Sequence, residues 1–258
     1  MGDIPVEARI AVLASKSTQT TGNQRKTMSG FVIEPPTVTT LPVQGSDDLF
    51  PVSEIYCVGR NYADHAIEMG HDPDREAPFF FMKPRYTVLT SKQQMQYPSH
   101  SQDVHHEVEL VVALKSGGQN ISVADAVDHI FGYGVGIDMT RRDLQGQAKE
   151  KSRPWESGKT FLHASPCSEL VSIEQSGQLN EGNIQLRVND ELRQEGNLNQ
   201  MIWKVSEVIS RLSELFYLQA GDLIYTGTPA GVGPIARGDR LTAIIENVTR
   251  LDLEVAQG

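Results

Sequence analysis

Glu107 and Glu109 stand two residues apart in the run Glu107-Val108-Glu109-Leu110-Val111-Val112-Ala113-Leu114, which the turn Ser116-Gly117-Gly118 closes. Such a run predicts a strand, and side chains two apart on a strand share a face. Both carboxylates then point one way, about 7 Å apart along the chain, while Val108, Leu110 and Val112 point into a core. Side-by-side carboxylates repel unless a cation lies between them, and hard oxygen donors of this kind suit Mg2+ or Mn2+. A solvated edge strand is the plainer alternative. In a second predicted strand, Phe131 to Asp138, the glycines at 132, 134 and 136 share the parity of Asp138. One face is bare backbone leading to a carboxylate, which calls either for a group approaching closely or for tight packing of another chain segment. Together Glu107, Glu109 and Asp138 supply three oxygen ligands and leave positions open for substrate and water, as a catalytic metal site requires.

A base and a cation complete the set. If Asp64-His65-Ala66-Ile67-Glu68-Met69 forms a helical turn, His65 and Glu68 touch at i and i+3 and make a general base with its orienting carboxylate, or only a surface pair. Lys159, in Ser157-Gly158-Lys159-Thr160, is a mobile cation able to stabilise a developing oxyanion or enolate. Gly158-Lys159-Thr160 is no phosphate loop, since Arg153 stands where the first glycine belongs and Pro154 breaks the turn. Gly231-Val232-Gly233-Pro234-Ile235-Ala236 has the letters of a dinucleotide fingerprint, but strand residues rather than a helix follow it. His105 and His106 face opposite ways, so at most one could join the carboxylates.

The elements that must position these groups are mostly strands. Ile55-Tyr56-Cys57-Val58 reads as a short buried strand with Cys57 as a packed thiol, and strands are expected around Asp222–Tyr225, Leu241–Ile245 and Leu251–Val255. Thr140-Arg141-Arg142-Asp143 has the form of a capping box opening a helix. The clearest helix runs from Val205 to Leu218, with Val205, Val208, Ile209, Leu212, Leu215 and Phe216 on its core-facing stripe. Strands outnumber helices without alternating regularly, which predicts a strand-rich α+β fold.

The 258 residues carry 33 acidic against 23 basic side chains, a net charge of -10 that repels nucleic acid and anionic lipid. An anionic substrate therefore needs a local cationic site. No stretch approaches the ~20 apolar residues of a membrane span, and the two cysteines cannot build a disulfide framework, so a cytoplasmic protein is expected. Residues 1–30 are polar and aperiodic and are expected to be a flexible extension, 31–54 a Pro-rich lead-in, and 55–258 the catalytic domain.

Five ordered motifs carry a resemblance: Val58-Gly59-Arg60-Asn61-Tyr62-Ala63-Asp64-His65, Glu107-Val108-Glu109-Leu110, Gly136-Ile137-Asp138, Gly158-Lys159-Thr160-Phe161 and Thr226-Gly227-Thr228-Pro229-Ala230-Gly231-Val232-Gly233. As a set they resemble the fumarylacetoacetate hydrolase family. The resemblance implies that family's mixed β-roll with a few peripheral helices, a homodimer, and Mg2+ or Mn2+ held by Glu107, Glu109 and Asp138. It implies that His65 and Glu68 lie on a lid over the substrate, that Lys159 holds oxyanion charge, and that Arg60, Tyr62, Arg142, Gln145 and Thr228 contact a small anionic diketo acid. The segments 68–81 and 197–203 are most similar to members that hydrolyse fumarylpyruvate in gentisate breakdown. Relatives that decarboxylate oxaloacetate, or isomerise or decarboxylate a carboxymethyl-hydroxymuconate, are the alternative activities, with a non-catalytic keto-acid-binding protein as a third.

Overall fold

The strand expected at 107–114 forms over Val108–Leu114, and all of its residues are buried. Val108, Leu110, Val112 and Leu114 enter one apolar core, whereas Val111 and Ala113 enter a second with Leu41, Phe50, Cys57 and Tyr225. A strand covered on both faces gives up the in–out alternation of a half-solvated one, which is why this run reads as nearly continuous Val, Leu and Ala. The computed structural model describes residues 30–63, 76–91 and 93–257, and within it Val38–Gly258 form one compact unit.

Val108–Leu114 is an inner strand of a six-stranded mixed sheet. The spatial order is Val171–Ser172, Ile130–Ile137, Val108–Leu114, Leu223–Tyr225, Ile55–Gly59, Phe79–Lys83. Leu223–Tyr225 runs parallel to Ile55–Gly59, and every other neighbouring pair is antiparallel. A second sheet of four antiparallel strands takes the order Glu191–Asn197, Asn183–Val188, Arg240–Ile245, Thr249–Glu254. Here the period-two pattern is explicit: Ile184, Leu186 and Val188 are buried, as are Leu241, Ala243, Ile245, Leu251 and Leu253, with less buried residues between them. Those buried side chains join the larger core, so the second sheet closes over one face of the first. A small sheet of Gly233–Pro234, Val104–His106 and Thr140–Arg141 lies at the end of the strands that carry the acidic residues.

α-Helices among the described residues are few: Arg142–Glu150, Glu156–Lys159, Ile173–Ser176 and Val205–Leu215. The fold is the strand-rich α+β roll that the sequence led us to expect. The last helix is shorter than its periodicity suggested. Val205, Val208, Ile209 and Leu212 are buried, but Leu215 is 66% exposed and Phe216 has extended backbone. The chain leaves the helix because Leu218 pairs with Gly118 through two backbone hydrogen bonds, and Phe216 instead sets its ring 5.2 Å from that of Tyr56. Part of the Pro-rich lead-in is built into the unit: Thr40–Pro42 pairs with Leu49–Pro51, which places Leu41 and Phe50 in the second core and Phe50 5.1 Å from Phe131.

Candidate active site

Glu109 is the register partner of Gly136, and Val108 that of Ile137. One step beyond the ladder, the Asp138 N–H donates to the Glu107 carbonyl at 2.8 Å. Alternate rungs of a single antiparallel pair therefore deliver all the acids, and the ligand-capable oxygens of Glu107, Glu109 and Asp138 lie within 4.8 Å of one another, all three residues buried. Glu107 itself lies between the strands Val104–His106 and Val108–Leu114 rather than inside the predicted run. The bare glycine face is filled by the protein's own chain: a Cβ on Gly132 would stand 2.1 Å from the Val171 carbonyl oxygen, and one on Gly136 would stand 2.6 Å from both Tyr225 Cε1 and Val111 Cγ2. Tight packing accounts for those glycines, and their effect on the site is to let Tyr225 and the Pro166–Ser172 segment close down behind Asp138.

Three carboxylates in one dry place are costly without cations. Burial, and then the neighbouring Asp138 and Glu107, push the Glu109 carboxyl well above its ordinary range, although the Gly227 N–H reaches its Oε2 at 2.8 Å and opposes the shift. Lys159 is not the mobile cation expected from its Ser-Gly-Lys-Thr setting. It is buried, with Nζ 2.7 Å from Glu107 Oε2, Asp138 Oδ2 and Thr140 Oγ1. Burial alone would lower its pKa, but Asp138 and Glu107 outweigh that and hold the ammonium protonated. The Thr140 hydroxyl is thereby committed to this network, and the expected capping box does not form: Arg141 precedes the helix Arg142–Glu150 and no side chain caps it. The Arg142 guanidinium reaches Glu107 Oε1 at 2.5 Å and Gln145 Oε1 at 2.7 Å.

Sequence reasoning missed Lys83. Its Nζ donates to the carbonyls of Met139 at 3.0 Å and Ala164 at 2.6 Å and lies 2.5 Å from Asp138 Oδ1. The signal was a parity: Phe79, Phe81 and Lys83 share a face of one strand, and both rings line the cleft over the carboxylates.

That cleft is also lined by Arg60, Arg142, Gln145, Lys159 and Thr228. Trp155 completes an aromatic wall with its ring 5.3 Å from Phe79 and 6.0 Å from Phe81, and Arg60 stacks 5.1 Å from the Phe79 centroid. Arg60 adopts φ 59, a left-handed conformation that non-glycine residues take at a cost, and the turn it makes sends its side chain back over the strand Phe79–Lys83. Tyr62 stands apart from this cleft. It is buried beside a neighbouring pocket lined by Ala63, Gln200 and Pro229, and its hydroxyl has no hydrogen-bond partner among the described residues. His65 and Glu68 lie outside the described residues.

Neither adjacent histidine joins the carboxylates: His105 pairs with Asp103, and His106 Nδ1 with Gln194. The Gly231–Gly233 letters lead into the two-residue strand Gly233–Pro234 and not into a helix, and Cys57 is fully buried, as the sequence suggested. The donor set suits a hard divalent cation: three carboxylate oxygens converge, the two on Glu109 and Asp138 sit at the strand ends, and Glu109 is disfavoured as an anion until positive charge arrives.

Comparison with known proteins agrees with this arrangement. The family model described as fumarylacetoacetate hydrolase C-terminal matches residues 54–256. A fumarylpyruvate hydrolase from Ralstonia sp is 41% identical over 189 residues, 72% of this chain and 98% of the relative. A mitochondrial oxaloacetate tautomerase from Mus musculus is also 41% identical, over 201 residues that make up 78% of this chain and 90% of the relative. The crystal structure of a fumarylpyruvate hydrolase from Pseudomonas aeruginosa in complex with Mn2+ and pyruvate is 44% identical, covers 88% of this chain and 100% of its own, and superposes with a TM-score of 0.86.

Proposed function

Since the chain belongs to the fumarylacetoacetate hydrolase family, we propose that it is a divalent-metal-dependent hydrolase of acylpyruvates, with fumarylpyruvate from aromatic catabolism as its substrate. The observation that carries this reading is the convergence of Glu107, Glu109 and Asp138 in a cleft whose other charged residues are all cationic. Water adds its hydroxyl to the acyl carbonyl carbon and the bond to the pyruvyl methylene breaks, giving fumarate and, after proton return, pyruvate.

Held by Glu107, Glu109 and Asp138, Mg2+ or Mn2+ would supply Lewis-acid stabilisation of the negative charge that develops on the pyruvyl oxygens as the carbon–carbon bond breaks. The chain's own groups do the rest. His65, oriented by Glu68, takes the proton from the attacking water. Lys159, kept charged by its two carboxylates, holds oxyanion charge through its field, since Glu107, Asp138 and Thr140 engage its three N–H donors. Arg142 directs one N–H to Glu107 and one to Gln145 and retains donors for the substrate carboxylate. Gln145, Thr228 and Arg60 fix its orientation, while Phe79, Phe81 and Trp155 exclude water from the reacting centre.

A second reading, keto–enol tautomerisation of oxaloacetate, is favoured by the equal identity of the mouse relative. It needs the same charge stabilisation but no water nucleophile. The test is to incubate the protein with fumarylpyruvate, acetylpyruvate and oxaloacetate in Mn2+ or Mg2+ and to follow products by NMR. Fumarate and pyruvate appearing together support the proposal. Exchange of the oxaloacetate methylene with no cleavage of either acylpyruvate supports the tautomerase, and turnover that survives EDTA removes the metal from both. The family also implies a homodimer, which sedimentation velocity measures.

A further inference from the structure

We infer that Gln194, reaching in from the second sheet, is a positioning residue that fixes the Thr228 hydroxyl as a hydrogen-bond donor into the cleft. The inference rests on the proposed keto-acid site and adds to it a residue that neither the motifs nor the cleft lining contains.

Gln194 is 1% exposed on a strand whose neighbours Arg193 and Glu195 are exposed. Its amide makes four hydrogen bonds. Oε1 accepts from the Val108 N–H at 3.0 Å and from His106 Nδ1 at 2.8 Å, and Nε2 donates to Thr228 Oγ1 at 2.8 Å and to the Pro229 carbonyl at 2.9 Å. Two of these partners leave no choice of orientation. A backbone N–H can only donate and a carbonyl can only accept, so the oxygen must face Val108 and the nitrogen must face Pro229. Thr228 Oγ1 is thereby an acceptor toward Gln194. A hydroxyl that accepts from one side still has a hydrogen to give, and among the described residues nothing takes it. Thr228 lines the cleft beside Arg142 and Gln145, where an anionic oxygen of the substrate can receive that hydrogen.

The loop is held against the strand by more than this amide. A Cβ on Gly196 would come 2.7 Å from the Pro229 Cβ, and one on Gly231, at φ 93, would come 2.2 Å from the Arg193 carbonyl oxygen. Bare α-carbons on both sides of Gln194 therefore let the Thr228–Gly231 loop and the strand Glu191–Asn197 approach closely enough for its amide to span Val108 and Thr228. Val108 lies between Glu107 and Glu109, so one side chain ties the acid-bearing strand to the substrate loop.

The test is a double-mutant cycle on Mn2+-loaded protein, with Q194M, T228V and the pair, reading the dissociation constant of pyruvate by calorimetry and KM and kcat for fumarylpyruvate. Q194M leaves Val108 and Pro229 short of a partner in either background, so that loss cancels in the cycle. Each single variant should weaken pyruvate binding about tenfold or more, the size expected for a lost hydrogen bond to a charged group, with KM rising by more than kcat falls. In the pair, Q194M should add less than threefold to the effect of T228V. Multiplying effects would overturn the inference, because Gln194 would then act independently of Thr228. T228V binding pyruvate as tightly as the parent would also overturn it, whatever Q194M does to folding. A parent protein that binds pyruvate yet cleaves no acylpyruvate would sink the hydrolase proposal and leave this cycle readable.

Discussion

Lys83 Nζ lies 2.5 Å from Asp138 Oδ1, and neither side chain is more than 2% exposed. With Lys159 on the other oxygen, Asp138 is clamped between two buried ammonium groups. Removing one partner of such a pair strands the other charge in low dielectric. K83M should therefore cost about 3–5 kcal/mol, and it also takes a donor from the Met139 and Ala164 carbonyls, of which Ala164 keeps the Met139 N–H. Urea denaturation measures the loss, and Mn2+ titration of the folded variant should show weaker binding. An unaltered midpoint would mean that Lys83 is dispensable.

Glu109 makes the metal-free protein pH-sensitive. Its carboxyl is raised well above the ordinary 4.5 by burial and then by Asp138 and Glu107. A folded pKa above the unfolded one means that the native state binds the extra proton, so this contribution is complete below the unfolded value and is lost as pH rises through the folded one. The melting temperature of EDTA-treated protein should fall as pH climbs above about 4.5, relative to E109Q under the same conditions. Saturating Mn2+ should abolish the difference by stabilising the ionised form. Parallel pH profiles for the two proteins without metal would refute this.

H65A should lower kcat for fumarylpyruvate by about 10²-fold or more while moving KM far less, as loss of a general base does. Steady-state kinetics in Mn2+ decide it. A rate within a factor of two of the parent would place the base elsewhere.

G136A puts a methyl group 2.6 Å from Tyr225 Cε1 and Val111 Cγ2 in a fully packed core. The overpacking should cost about 1–3 kcal/mol and displace Asp138 two residues on. Chemical denaturation combined with Mn2+ affinity tests both effects, and a variant as stable as the parent would show that the core can yield.

The carboxylate trio was legible because strand parity is a local property: Glu107 and Glu109 declare their shared face, and the alternate glycines mark the strand that ends at Asp138. The roll and its family were legible from five motifs in order. What stayed hidden depends on contacts between segments far apart in the chain. Lys83 looks like a polar strand end until Met139 and Ala164 close around it. Gln194 looks like one more polar residue in Glu191–Asn197 until the Thr228 loop lies over it. Thr140 fits a capping box by spacing, yet Lys159, distant from it in helical terms, claims its hydroxyl. Leu215 fits an apolar stripe, but the pairing of Leu218 with Gly118 pulls the chain out of the helix first.

The acids of the site ride on alternate rungs of one antiparallel ladder, Glu109 opposite Gly136 and Glu107 bonded to Asp138, with Val108 and Ile137 between. A slip of a single residue in that pairing turns Asp138 to the other side and scatters the cluster. Molecules with this ladder misaligned keep Glu107 beside Glu109 but lose Asp138, so under the proposed metal site the divalent-cation capacity of a preparation should count the chains that have reached the native register.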